Sequence, residues 1–251
     1  GHYKDGVRAL VDRLQYLNSA NNRFWFDTRP NLRREMEDRK RRFDLREDVY
    51  PFIKDKLRFA NGVFGGTHVF TPSSDVPDDW QLRLVVLPPE ATFSKGAQSP
   101  AIDAATAILK GRGDQPRQKQ NRLIFLAADT DSISRLREQV TSSLAWKSIV
   151  DDVKEGRLNL DGHQTKQASV SLEQANDALG RMVRETFKWL LAPLQEAKPG
   201  KGIGEVQWDH FQINPAAVNR TEEIEKVLKE HELLITEWAP IHLAKMLQSW
   251  F

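Results

Sequence analysis

The chain has 251 residues, with 37 Lys or Arg, 35 Asp or Glu and no Cys, and 39% of its residues are hydrophobic. This composition excludes a disordered chain, disulfides and thiolate metal sites, and the lack of Cys fits a reducing, cytoplasmic setting. The net charge of +2 predicts no polyanionic partner without local clustering, and no apolar run reaches the roughly 18 residues of a membrane span.

The first third of the chain predicts helices around one short strand. Apolar spacing of three and four predicts a helix over residues 7–14, and the aromatic run 24–26 is typical of a buried strand. Pro30 favours the first turn of a helix, so a strongly charged helix that largely faces solvent is predicted over about 30–43. Another helix is predicted over 49–60, before a turn that enters a strand at 65–70.

The middle of the chain alternates strands and helices. A strand is predicted over residues 82–87 and a short helix over 101–109, with a polar loop over 111–120. The run 123–127 is continuously apolar, which favours a strand buried on both faces, as in a parallel sheet. A helix over 132–154 follows it.

The last third predicts one long helix over 165–194, because its apolar residues trace a single stripe that is interrupted only at Thr186. Residues 198–204 are interpreted as a linker. A strand near 205–212 and helices over about 220–233 and 240–251 close the chain.

This order predicts an α/β fold with a mostly parallel sheet, flanking helices and a C-terminal helical segment. The predicted domains are residues 3–197 and 198–251. The last predicted helix has no C-cap, so we expect a truncated chain; a terminal helix that frays is the alternative.

The sequence holds no complete catalytic motif. A Walker A loop needs glycines followed by Lys and Ser or Thr, whereas the Gly-rich run 62–68 has no Lys and the run 200–204 follows a helix. Both runs are interpreted as turns. The six His form no two-His zinc motif, and the carboxylate pairs at 78–79 and 151–152 are interpreted as surface charge, so no metal site is predicted.

Two carboxylates follow predicted strands. Asp27 and Asp129 each stand where a strand-end Asp could hold Mg²⁺, because ligands gather beyond the carboxyl ends of strands in open α/β sheets. The favoured interpretation of both is a cap for the following helix.

The most unusual segment is residues 29–46, in which eight cations face four carboxylates, a net charge of +4. A solvated helix held by i,i+4 ion pairs is the simplest interpretation. Two functional interpretations stay open. Phosphate-facing arginines that reach a nucleotide held elsewhere would be Arg29, Arg33 and Arg34. A nucleic-acid surface would use Arg39, Lys40, Arg41, Arg42 and Arg46.

Three stretches together resemble one protein family. They are residues 24–32 (FWFDTRPNL) with the Arg-rich helix after them, residues 121–129 (NRLIFLAAD), and residues 144–149 (LAWKSI) followed by 158–160 (LNL). Their order and spacing resemble the domain of unknown function 499, a family of large prokaryotic AAA+-like ATPases found beside methylases and helicases in restriction and phage-defence loci.

The resemblance implies a middle-to-C-terminal fragment, because family members carry their Walker A motif in an N-terminal part. Such a fragment would bind no cofactor itself and would be inactive alone, whereas the full-length protein would use ATP and Mg²⁺. Its expected function is that of an accessory region that couples ATP hydrolysis elsewhere to the remodelling of a partner or of DNA. Expected partners are the missing ATPase part, other defence proteins and DNA; a nucleic-acid-binding module using the Arg-rich helix 30–46 is the alternative. No catalytic residue is carried over.

Overall fold

The computed structural model describes residues 5–7, 10, 14, 16–21, 23–60, 62–195, 197–198 and 202–234. The predicted α/β fold class is confirmed. The chain divides into two compact units: a helical unit (Gly1–Lys56 and Arg135–Met182) and a sheet unit (Leu57–Ser134 and Val183–Phe251). The predicted domain division after residue 197 stays a prediction. The boundaries between the two units fall after residues 56, 134 and 182.

The strands of the described residues are β1 (Leu17–Ala20), β2 (Arg23–Phe26), β3 (Gly66–Val69), β4 (Arg83–Val86), β5 (Thr92–Phe93), β6 (Gly111–Arg112), β7 (Gln115–Pro116), β8 (Leu123–Asp129), β9 (Phe187–Leu194), β10 (Ala197–Lys198), β11 (Gly202–Ile203) and β12 (Gln207–Gln212). The helices are α1 (Leu32–Lys40), α2 (Tyr50–Lys56), α3 (Pro100–Lys110), α4 (Ile133–Lys154), α5 (Gly162–Thr186) and α6 (Arg220–Glu230). One π-helical turn, Leu45–Val49, leads into α2.

The main sheet of the sheet unit is mixed, with the strand order β12-β9-β8-β4-β3 and with β5 beside the end of β8. The strands β3, β4, β5 and β8 run in one direction, whereas β9 is antiparallel to both of its neighbours, β8 and β12. All seven residues of β8 are buried, as its continuous apolar sequence predicts for a strand covered on both faces.

The helix predicted over 165–194 is wrong in its last eight residues, where the chain forms β9. Residues 189–192 are all buried, and four consecutive buried positions cannot share one helical stripe. As a strand, they bury both faces and pair with β8 and β12. Pro193 has no amide proton to donate, and it lies beyond Leu191, the last residue of β9 that pairs with β8.

One face of the sheet packs on α3, where small residues allow a close approach. Ala101, Ala105 and Leu109 lie against Phe125 and Trp189 in a single buried cluster. Pro100 stands in the first turn of α3, which agrees with the predicted start of the helix within one residue.

Helix α6 connects to the junction between α5 and β9 through a buried arginine. Arg220 donates to the carbonyl oxygens of Phe187 and, at 3.4 Å, of Arg184. These carbonyls lie where the helical hydrogen-bond pattern stops, so they need outside donors. Burial lowers the pKa of Arg220 to about 10.

The helical unit begins with the antiparallel hairpin of β1 and β2, in which Leu17 pairs with Phe26. The strand predicted at 24–26 is confirmed, but its predicted burial is wrong, since Phe26 is 74% exposed. Helix α1 starts and ends within the predicted range 30–43. The turn between α4 and α5 includes Gly156, whose φ of 73° is a conformation that favours glycine.

Other boundaries differ from the predictions or cannot be compared with them. The helix predicted over 49–60 ends at Lys56, before the predicted Asn61-Gly62 stop. The polar loop 111–120 contains the small β6–β7 hairpin. Most of the helix predicted over 7–14, much of the linker 198–204 and the helix predicted over 240–251 lie outside the described residues. A membrane span is missing from the described part of the chain, whose helices are too short or too polar for one.

Replacing Arg220 should destabilise the protein strongly. Arg220→Met leaves two buried carbonyls without their charged donor, and we expect the free energy of unfolding to fall by about 2–3 kcal/mol. Urea denaturation measures this change. The control is Lys226→Met on the exposed side of the same helix, for which we expect a change within about 0.5 kcal/mol. Equal losses in both variants would contradict the assigned role.

Candidate functional site

The Arg-rich segment begins with a charged clamp around Arg29. Its Nη2 donates to Asp27 Oδ2 at 2.9 Å, its Nε lies 3.2–3.3 Å from both oxygens of Asp27, and its Nη1 donates to Asp161 at 3.1 Å. Hydrogen bonds from the side chain and backbone of Arg29 lower the pKa of Asp27 to about 2. Asp27 is thus the partner of Arg29 rather than a free strand-end ligand or a helix cap.

The cap of α1 is Asn31, not Asp27 or Thr28. Its Oδ1 accepts a hydrogen bond from the amide of Arg34 at 3.1 Å, and its Nδ2 donates to the carbonyl of Leu17. The side chain of Arg34 forms an i,i+4 ion pair with Asp38 at 3.3 Å. Arg33 points outward and is exposed. Of the predicted phosphate-facing arginines, Arg29 and Arg34 therefore already hold carboxylates.

Arg39 is buried, with 4% of its surface exposed, which the sequence did not predict. Its guanidinium donates to Glu35 at 2.8 Å and to Ser148 and Asp152 at 2.6 Å each. Burial acts to lower the pKa of Arg39, but Glu35 and Asp152 outweigh it and raise that pKa above its ordinary value. The guanidinium of Arg39 thus faces partners inside the helical unit rather than solvent, and its role as a nucleic-acid contact stays a prediction.

The remaining cations of the Arg-rich segment differ in their ion pairs and in their exposure. Lys40 forms ion pairs with Glu138 and, at 3.7 Å, with Glu37. Arg41 is 69% exposed and lies 3.8 Å from Asp38. Arg42 and Arg46 are exposed and make no side-chain ion pair within the described part of the chain. Most of the predicted basic surface is therefore committed to ion pairs inside the helical unit.

An apolar cluster lies beneath these ion pairs. Leu32 of α1 packs with Ile149, Val150 and Ala168, and Trp146 lies against them. The inner face of α1 thus packs on α4 and α5, and the arginines of α1 lie around this apolar contact.

In the sheet unit, Asp129 is fully engaged at the end of β8. Its Oδ1 accepts from the indole Nε1 of Trp189 at 2.9 Å, and its Oδ2 accepts from the hydroxyl of Ser132 at 2.8 Å. Burial acts to raise the pKa of Asp129, but these donors outweigh it and hold that pKa below its usual range. Asp129 thus ties the strand end to the entry of the next helix, in keeping with the favoured capping interpretation.

The other sequence features also have local partners. The Gly-rich run 62–68 leads into β3, and its Val63 amide donates to a carboxylate oxygen of Glu225. The ring Nε2 of His68 accepts a hydrogen bond from Arg83 at 3.2 Å, and burial lowers the pKa of His68. Among the described residues, no three His, Asp or Glu side chains lie close enough together to hold a metal ion.

Sequence reasoning missed a cleft of about 560 Å³ in the sheet unit. It lies at the amino ends of β4 and β8, and its lining residues are Trp80, Leu109, Gln118, Lys119, Gln120, Asn121, Pro193, Leu194, Gln195 and Val206. Trp80 is 68% exposed. The Nζ of Lys119 lies 4.1 Å from the centre of its ring, and the guanidinium carbon of Arg122 lies 5.7 Å from it. We call this feature the Trp80 cleft.

The loop that contains Lys119 is held in place by hydrogen bonds of Arg117 and Asp78. Arg117 is buried and donates to the carbonyls of Ser73, Val76, Pro77 and Ile108. Asp78 accepts from the amides of Gln118 and Lys119 at 2.7 and 2.8 Å. The signal in the sequence was the basic loop itself, but only the fold shows that Trp80 stands beside it.

Comparison of this chain with protein-family models, curated proteins and solved structures gives no match.

The pKa of Asp27 gives a direct test of the Arg29 clamp. In Arg29→Gln we expect it to rise from about 2 towards its ordinary value of 3.8. Because the folded pKa is depressed, the clamp stabilises the protein above pH 3.8, and this contribution is lost as the pH falls through about 2. NMR titration of the Asp27 carboxyl carbon measures the shift, with Arg42→Gln as the control. A wild-type Asp27 that titrates near 3.8 would rule out the clamp.

The buried Arg39 network predicts a large and partly reversible loss of stability. Arg39→Met leaves Glu35 buried without its cation, and we expect the free energy of unfolding to fall by about 3–5 kcal/mol. Adding Glu35→Leu should recover part of this loss, since an apolar pair replaces a buried carboxylate that has lost Arg39. Chemical denaturation of both variants checks this, and the exposed Arg42→Met should change stability by no more than about 0.5 kcal/mol. A double variant no more stable than Arg39→Met would contradict the network.

Proposed function

We propose that this chain is an accessory region of a prokaryotic AAA+-like ATPase of the domain of unknown function 499 type, associated with phage defence or restriction. In this proposal, ATP and Mg²⁺ are bound by another part of the protein. The chain described here transmits the conformational change that ATP hydrolysis causes to a partner or to DNA. The sequence has no Walker A motif, which is consistent with this division of labour.

One observation carries the proposal: two of the stretches on which the family resemblance rests are joined by side-chain contacts. Arg29, in the first stretch, pairs with Asp161, which follows the run 158–160. Arg39, in the helix after the first stretch, donates to Ser148 in the run 144–149. The motifs that suggest membership are therefore the residues that hold the helical unit together.

This arrangement favours a mechanical role over a chemical one. Arg39 in α1 is held by Asp152 of α4, and Arg29, just before α1, is held by Asp161. A helix tied in this way resists independent movement, because separating the buried Arg39 from its carboxylate leaves an uncompensated charge. Such a helix can pass a displacement on to whatever contacts it. Arg29 and Arg34 then act by positioning the helical unit, and Arg33 remains the exposed member of the predicted phosphate-facing set.

A second candidate is nucleic-acid binding through the end of the Arg-rich helix. It is favoured by the exposure of Arg41, Arg42 and Arg46, since exposed guanidinium groups contact phosphates. Asp44 and Glu47 are also exposed in this stretch, so its local charge is close to balanced. We therefore rank this function below the first.

The ATPase proposal is tested by expressing this chain alone and together with the upstream part of its native reading frame. We expect the chain alone to hydrolyse no ATP and the longer protein to do so. Arg39→Met should lower hydrolysis in the longer protein at a temperature where the variant is still folded, because transmission through the helical unit is weakened. A coupled phosphate-release assay measures the rates.

The matched control is Arg42→Met, which removes an exposed cation of the same segment and should leave hydrolysis unchanged. ATP hydrolysis by the isolated chain, or a native reading frame without a Walker A motif, would refute the proposal. A loss of hydrolysis in Arg42→Met that equals the loss in Arg39→Met would assign the effect to charge rather than to the buried network.

A further inference from the structure

We propose that the Trp80 cleft binds single-stranded nucleic acid, with an unpaired base stacked on Trp80 and the neighbouring phosphates on Lys119 and Arg122. This site is separate from the Arg-rich helix. It stands on the geometry of the sheet unit and does not depend on the ATPase proposal.

The indole of Trp80 is the first part of the case. A large aromatic side chain that is 68% exposed gains little from folding, because most of its apolar surface still meets water. Stacking of a base on an exposed ring removes that surface, and any base can do so because each has a π-face. Trp80 borders a cleft of about 560 Å³, a size that holds a small organic ligand.

The two cations beside the ring form the second part. Lys119 and Arg122 contact the Trp80 ring, and neither forms an ion pair within the described part of the chain. The Nε of Arg122 is buried and has no hydrogen-bond acceptor there. The charge of Arg122 thus has no carboxylate partner among the described residues, and a phosphate is an anion that would compensate it.

The side chains of the nearby carboxylates Asp78 and Asp79 accept hydrogen bonds from other donors. Asp78 accepts from two loop amides, and Asp79 holds Arg83 through contacts of 2.7 and 3.1 Å. Residues 78–83 and 110–122 together contain six cations and three carboxylates. Lys119 and Arg122 therefore remain as positive charge at Trp80, and a strand offers them phosphates on both sides of a stacked base, which a free nucleotide does not.

Free amides complete the site. The side chains of Gln118, Asn121 and Gln195 line the cleft and make no hydrogen bond within the described residues. Each amide offers both donors and an acceptor, which suits the edge of an unpaired base. The buried Arg117 and the half-buried Asp78 hold the loop in place, so binding a strand does not require the loop to become ordered first.

The test is fluorescence anisotropy of a labelled single-stranded oligothymidylate of about 16 nucleotides, titrated with the whole chain at several salt concentrations. Trp80→Ala should weaken binding about tenfold or more, and Trp80→Phe should retain most of the affinity. Lys119→Gln should reduce the slope of log affinity against log salt by about 0.7, the contribution of one phosphate contact to a single strand. Thermal melts confirm that the variants fold, as expected for an exposed Trp.

Two matched controls lie in the helical unit. Trp25→Ala removes another exposed aromatic side chain, and Lys147→Gln removes an exposed cation of α4; both should leave the affinity unchanged. Unchanged binding in Trp80→Ala would overturn the proposal, as would a wild-type chain that binds no oligonucleotide at low salt. Equal competition by a mononucleotide or by polyglutamate would overturn it too, because the cleft would then be a free-nucleotide site or a general anion site.

Discussion

A charged group that is buried needs compensating partners, and this requirement determines how distant segments of this chain are joined. In the helical unit, buried Arg39 brings α1 together with residues of α4 through Glu35, Ser148 and Asp152. In the sheet unit, buried Arg220 satisfies carbonyls at the start of β9, and buried Asp129 accepts from Trp189 of that same strand. Each of these groups has partners supplied by segments far apart in sequence.

The same requirement separates structural cations from available ones. Arg39 and Arg117 are enclosed, and every acceptor around them belongs to the chain. Lys119 lines a cleft, and within the described part of the chain both Lys119 and Arg122 lie over the ring of Trp80 and form no ion pair. A high local density of arginine therefore says little about binding until the partners of each guanidinium are known. For this reason, the sparse pair beside Trp80 is a stronger binding candidate than the dense cluster at 29–46.

The position of the Trp80 cleft is uncommon for an α/β sheet. Ligands of open parallel sheets gather beyond the carboxyl ends of the strands, the edge at which Asp129 stands. Here the indole of Trp189 and the hydroxyl of Ser132 donate hydrogen bonds to the Asp129 carboxylate. The cleft lies at the amino ends of β4 and β8 instead, where the antiparallel strand β9 brings Pro193 and Gln195 to the same edge. The reversal of direction at β9 thus contributes one wall of the candidate site.

The amino-acid sequence was enough to predict the fold class, the buried strand β8, the charged helix α1 and the helix α3, because their signals are local: a continuous apolar run, a charged helical stretch and an N-terminal proline. It did not determine β9, since the choice between helix and strand for residues 187–194 depends on the neighbours β8 and β12. It identified Arg29–Arg46 as unusual, but whether each cation faces solvent or a carboxylate is decided by residues about 100 positions away, such as Glu138, Asp152 and Asp161. Only the tertiary structure placed Trp80 beside Lys119 and Arg122, because long-range contacts bring together side chains that no local pattern connects.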